Sequence, residues 1–130
     1  MKPLILAVDD SKAMRYLFQT VLGKKYQVVT APDASSAMYW LSQKNFPTVI
    51  LANAQLRDTT DWEFVTYLKS SFLYKDIPAI VLSSLEQEEV EQKCSQFNIE
   101  GYFIKPFNPV SLVETVDKLV SLNVSRDMES

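Results

Sequence analysis

Five short apolar runs recur along the chain, each followed by polar residues and then by a segment with helical spacing. The runs are Leu4–Val8, Tyr26–Ala31, Val49–Ala52, Ile77–Leu82 and Gly101–Ile104. Runs that stay apolar on both faces mark strands buried in a parallel sheet. After the first run, Ser11 is the expected N-cap of a helix carrying Met14, Leu17, Phe18, Val21 and Leu22, with Gly23 placed to end it. Asp33 is expected to cap a second helix with Ala34, Ala37, Met38 and Leu41 inward, and Asp61 a third with Phe64, Val65, Leu68 and Phe72. Ser84 and Gln87 have the spacing of a capping box for a fourth helix that reaches about Phe97. Its apolar stripe is thin, chiefly Val90, Cys94 and Phe97, and its first turns hold Glu86, Glu88, Glu89 and Glu91. Asn108 and Pro109 open the last helix, which carries Leu112, Val113, Val116, Leu119 and Val120.

Strand and helix alternate five times without repeat or internal linker, so the expected fold is α/β: a doubly wound (βα)5 three-layer sandwich around a five-stranded parallel sheet. One domain is expected over 1–121. Apolar periodicity fades after about Leu122, so 122–130 reads as a C-terminal tail or the start of a linker. The chain has 130 residues, within the range of one domain.

Composition removes whole classes of chemistry. With no histidine and one cysteine, the chain has no histidine triad, no histidine metal ligand, no phosphohistidine and no internal disulfide. A reducing, cytoplasmic setting fits best. A net charge of −3 argues against a nucleic-acid surface, and no apolar run approaches the length of a membrane span. The expected partners therefore include neither nucleic acid nor membrane. Only two glycines are present, which suggests few left-handed turns.

In a sheet of this kind the site lies outside the carboxyl ends of the strands. Those ends carry Asp9-Asp10, Asn53, Ser83-Ser84 and Lys105-Pro106. Adjacent carboxylates are costly unless solvated or paired with a cation, and a hard divalent ion such as Mg²⁺ is the natural oxygen-liganded partner. Lys-Pro forces an extended exit that aims the ammonium at the same crevice.

Acid pair, hydroxyl and lysine at these ends, in V-D-D-S at Val8–Ser11, I-P-A-I-V-L-S-S at Ile77–Ser84 and G-Y-F-I-K-P-F at Gly101–Phe107, resemble the receiver domains of two-component response regulators. The resemblance covers about residues 3–121 and implies the flavodoxin-like, chemotaxis-regulator-like fold. It implies that Asp10 binds Mg²⁺ directly, that Asp9 positions the ion through water, and that Ser83 and Lys105 contact a phosphoryl group. Tyr102 matches the aromatic residue that swings inward on activation.

The pattern breaks at the third strand, where the family's phosphoacceptor aspartate falls on Asn53. An acyl phosphate needs a carboxylate nucleophile, which an amide does not supply. The lost charge also weakens the metal site by several kcal/mol of Coulomb energy at an effective dielectric of about 20, before solvation offsets it. Mg²⁺ is thus expected to bind weakly or not at all. Arg57, Asp58 and Asp61 stand where the family places Pro, Gly and a further Gly, so the whole loop has diverged, as in a natural pseudo-receiver rather than a single engineered change. Asp58 as substitute acceptor is disfavoured against a solvated loop carboxylate. Trp40 and Trp62 read as packing residues at least as well as partner-binding ones, and Cys94 as core rather than redox sensor.

The expected function is a non-enzymatic signalling module that has lost Asp phosphorylation and acts by protein–protein interaction with a histidine kinase or downstream effector, through residues about 84–120. The alternatives are a working Mg²⁺-dependent phosphorelay receiver and a flavodoxin-like cofactor protein. The latter needs a phosphate-cradling loop after the first strand, where Asp9-Asp10-Ser11-Lys12 would repel a phosphate without a metal. The chain reads either as a stand-alone receiver or as one excised from a longer protein.

Overall fold

A computed structural model describes residues 2–129, with side chains described through Leu122. Five strands alternate with five helices: β1 Leu4–Val8, α1 Lys12–Leu22, β2 Gln27–Ala31, α2 Ala34–Ser42, β3 Val49–Asn53, α3 Glu63–Ser70, β4 Ala79–Ser83, α4 Gln87–Phe97, β5 Gly101–Ile104 and α5 Pro109–Glu129. The strands form one parallel sheet in the order β2-β1-β3-β4-β5. The order reverses between β1 and β3, which opens a crevice at their carboxyl ends.

Strand alternation divides the core in two. Leu6, Val8, Ile50, Ala52 and Val81 face one side, under α2, α3 and α4. Ile5, Ala7, Val49, Leu51, Ile80 and Leu82 face the other, under α1 and α5. Full burial of each large aliphatic side chain contributes about 1.5–3 kcal/mol relative to exposure. By that measure α4, with Val90 its one large buried aliphatic side chain, is held lightly. It buries only Val90 and Cys94 over its 11 residues.

Three of the expected helix starts form as read. Ser11 accepts from the Met14 amide at 3.3 Å, Asp33 from Ser36 at 2.8 Å, and Asn108 from Val110 at 2.8 Å. Two do not. The N-cap of α3 is Trp62 rather than Asp61, because the Trp62 amide donates to the Ala54 carbonyl at 2.9 Å and this closure sets the helix start. Nor do Ser84 and Gln87 form a capping box: Glu86 is the N-cap of α4, and Gln87 instead donates to Glu91.

Left-handed backbone is present without glycine. Lys44, Trp62 and Asn98 hold φ of 66°, 64° and 58°. Gly23 closes α1 at a right-handed φ of −65°, and its value is steric: a Cβ there would lie 2.3 Å from the Gln19 carbonyl oxygen. α5 continues as helix through Glu129, beyond the point where apolar spacing fades. The side chains of the proposed tail after Leu122 lie outside the described residues.

Candidate functional site

The ladder itself gathers the predicted residues at the carboxyl edge. Val8 pairs with Ala52, which sets Asp9 beside Asn53, and Asn53 pairs with Leu82, which sets it beside Ser83. The Lys105 amide then donates to the Ser83 carbonyl at 2.8 Å and brings β5 alongside. The peptide that follows, Lys105–Pro106, is cis.

Asp9 is the centre of the arrangement. It is wholly buried, one of two buried polar residues together with Ser83 among the described residues. Its Oδ1 accepts the Ser11 amide at 2.9 Å, and its Oδ2 accepts the Lys105 ammonium at 2.8 Å. The Asp9 carbonyl accepts from Arg15 Nη1 at 2.7 Å. A buried carboxylate is stable only when paired and hydrogen-bonded in this way. Arg15 escaped the sequence reading. Its signal was a basic residue on the first turn of α1, a position from which a long side chain reaches back to the strand end.

Asp10 is half-buried and takes no part in the three ion pairs of the described residues. Asn53 is also half-buried, and its Oδ1 accepts the amide of Gln55 at 3.4 Å, a contact within its own turn. The Ser83 Oγ accepts the Leu85 amide at 3.0 Å. Tyr102 is half-buried on β5, and its hydroxyl donates to Glu91 Oε1 at 2.6 Å. That bond, from Tyr102 first and with help from Gln87, holds the Glu91 carboxyl below the ordinary range, and the same contact raises the Tyr102 phenol.

Asp58 is no free loop carboxylate. Its two oxygens accept the Ala34 and Ser35 amides at 3.0 and 2.9 Å, while Asp33 takes the Ser36 amide. Two carboxylates therefore satisfy the whole first turn of α2, where a helix favours negative charge. Desolvation raises the Asp58 carboxyl, but the amides of Ser35 and Ala34 outweigh it and hold the group below its ordinary value. Cys94 is buried, and desolvation pushes its thiol up to about 11, so it packs as core.

The fit to a hard divalent cation turns on oxygen supply. Both Asp9 oxygens are committed, Asn53 offers only a neutral carbonyl, and an ammonium sits 2.8 Å from Asp9. Among the described residues no group of three or more His, Cys, Asp or Glu side chains could hold a metal ion. Asp10 is left as the one uncommitted carboxylate at the crevice, and this donor set does not fit Mg²⁺.

Comparison with known proteins matches residues 5–117 to the response regulator receiver domain model. The chain belongs to the response regulator receiver family. It is 30% identical over 113 residues to the phosphate regulon transcriptional regulatory protein PhoB of Escherichia coli K12, covering 86% of this chain and 49% of PhoB. The chain thus spans about half the length of that relative. The structure of the chemotaxis response regulator CheY4 of Vibrio cholerae superposes with a TM-score of 0.81 at 30% identity, covering 92% of this chain and 99% of CheY4. The response regulator Rcp1, solved in a Mn²⁺-bound form, gives 0.75 at 26% identity over 92% of each chain. The receiver is a two-component signalling module with the flavodoxin-like α/β fold. Among the described residues no helix is long and apolar enough to cross a membrane.

Proposed function

We propose that this receiver signals by protein–protein contact and does not accept a phosphoryl group at residue 53. The observation that carries the reading is Asn53 at the end of β3, beside an Asp9 whose charge is already neutralised by Lys105. Without a carboxylate at 53 no acyl phosphate forms there, and without the phosphoryl group Ser83 and Lys105 have no anion to gather. Asp10 and Asp9 are then the vestige of a metal site whose remaining donors do not fit Mg²⁺. Asp58 is no substitute, because its oxygens are engaged at the α2 N-terminus.

The domain spans 1–121, works in the cytoplasm without enzymatic activity, and presents residues about 84–120 to a histidine kinase or downstream effector. Support for that face comes from α4, whose thin anchorage suits a surface that adjusts to its partner. Tyr102 is the aromatic element of the face and is tied to α4 through Glu91.

Incubation with MgCl₂ and acetyl phosphate or beryllofluoride tests the reading, followed by intact mass and tryptophan fluorescence. The expected result is an unchanged mass and a flat fluorescence trace. A saturable, Mg²⁺-dependent change with the mass of one phosphoryl group would return the chain to the working receivers.

A further inference from the structure

Charge is divided between the two ends of the sheet. The carboxyl end carries Asp10, Asp61 and the exposed Glu86, Glu88 and Glu89 at the start of α4. The amino end is basic on balance: exposed Lys2, Lys24, Lys44 and Lys75 on the loops that enter the strands outnumber the unpaired Asp76, while Glu100 is matched by Lys69. None of these four lysines, and none of those three glutamates, joins an ion pair among the described residues.

The amino end is also apolar. Phe72 is 87% exposed, Leu73 62% and Phe46 54%. The loops bearing them meet, since the Phe46 and Tyr74 rings lie 6.1 Å apart and the Lys75 ammonium stands 5.6 Å from the Phe72 ring centre. Large side chains exposed together in this way mark an interaction surface. No charge of the phosphorylation crevice contributes to it, because it lies at the opposite end of the strands.

We infer that the basic, aromatic amino edge of one molecule receives the acidic start of α4 from a second copy. The two surfaces are complementary in sign and lie at opposite ends of the same sheet. Their pairing is therefore head-to-tail, and by symmetry it leaves a free edge at each end of the assembly. Lys44 and Lys75 face Glu86, Glu88 and Glu89 across the contact, while Phe72 and Leu73 are covered by the neighbour. Exposed charges of opposite sign steer such an encounter and make it sensitive to salt. This assembly goes beyond the proposed function and does not depend on the identity of residue 53.

Sedimentation velocity of the full chain across protein concentration tests it, at low and at high salt. The expected result is concentration-dependent association at low salt, weakened about tenfold or more at high salt. Lys75→Glu and Glu89→Lys each remove it, both positions being exposed and outside the core. Mixing the two variants is the decisive arm: the intact α4 of the first meets the intact amino edge of the second, and the reversed charges at 75 and 89 are again opposite in sign, so the mixture regains the association that each variant alone has lost. A monomer at every concentration overturns the inference. So does association that survives both charge reversals. Binding of the monomer through Phe72 and Leu73 to phosphatidylserine–phosphatidylcholine vesicles, with no self-association, assigns the edge to a membrane surface instead. Each of these outcomes leaves the phosphorylation test standing on its own.

Discussion

The two sides of the carboxyl edge treat their charges in opposite ways. Between the ends of β1 and β5, Asp9 is fully buried and fully satisfied, bonded to the Ser11 amide and to Lys105. On the β3–α3 side, the strand ends in a neutral amide, the loop bends back through a left-handed Trp62, and the Trp62 indole N–H is buried without a partner. The loop's one engaged acid, Asp58, has turned away to cap α2. The first side keeps a buried carboxylate–ammonium pair with its hydrogen bonds made. The second ends in the neutral Asn53 amide and spends its side chains on packing and capping. One edge of a single sheet thus holds a paired, buried charge and, beside it, a loop whose side chains pack and cap.

The largest effect that would break this contrast is at Trp62. The ring is 1% exposed and packs with Phe64 and Val65 in the core beneath α3. Trp62→Ala should destabilise the fold by about 4 kcal/mol through the cavity it leaves, measured by urea unfolding. Trp62→Phe should lose much less, because it also deletes an indole N–H whose burial without a partner costs about 1–3 kcal/mol. Equal losses in the two variants would mean that the indole N–H has a partner, and the loop would then be as well satisfied as its neighbour.

Next comes the ion pair. Lys105→Met leaves the buried Asp9 carboxylate with the Ser11 amide alone. The expected loss is about 3 kcal/mol, at the lower end for a buried pair because the lysine side chain is 21% exposed. A double-mutant cycle with Asp9→Asn measures the coupling directly. A coupling near zero would mean that Lys105 is solvated rather than bound, and would undo the contrast from the other side.

Asn53→Asp adds a carboxylate to the neutral side. A third carboxylate beside Asp9 and Asp10 should destabilise the metal-free protein by about 1–2 kcal/mol through like-charge repulsion. Millimolar MgCl₂ should restore that loss in the variant and leave the parent's melting temperature unmoved. A parent that gains as much from Mg²⁺ as the variant would show that the single uncommitted carboxylate is enough to hold the ion.

Much of this was legible in the sequence, and the parts that were not share a cause. Period and composition gave the five strands, and the strand ends named Asp9, Asn53, Ser83 and Lys105 because a parallel sheet delivers those ends to one edge. The caps made by Ser11, Asp33 and Asn108 were readable because donor and acceptor lie two or three residues apart. The Asp58 cap joins residues 24 and 23 positions apart, and nothing local announces it. Asp61 failed as a cap for a related reason: the loop is closed by the Trp62 amide on Ala54, a backbone bond that any sequence can make. Glycine scarcity pointed to few left-handed turns, and the three among the described residues, at Lys44, Trp62 and Asn98, are taken without glycine.

The smallest effect is the most diagnostic of the loop's new work. Asp58→Ala removes two of the bonds at the α2 N-terminus but leaves Asp33 in place, so the loss should be about 1 kcal/mol, reduced by the exposure of the carboxylate to solvent. Its pH dependence separates capping from mere surface charge. The folded carboxyl titrates below its ordinary value of 3.8, so the folded state favours the ionised form. The stabilisation is therefore complete above pH 3.8 and disappears as pH falls through the lower folded value. The stability difference between parent and Asp58→Ala, followed by urea unfolding down through that window, should close toward zero. Asp58→Asn retains one acceptor oxygen and should recover part of the loss with a pH-independent difference. A gap between parent and Asp58→Ala that persists unchanged into acid would mean that Asp58 packs rather than caps, and the loop would need another explanation for its departure from the family's glycine.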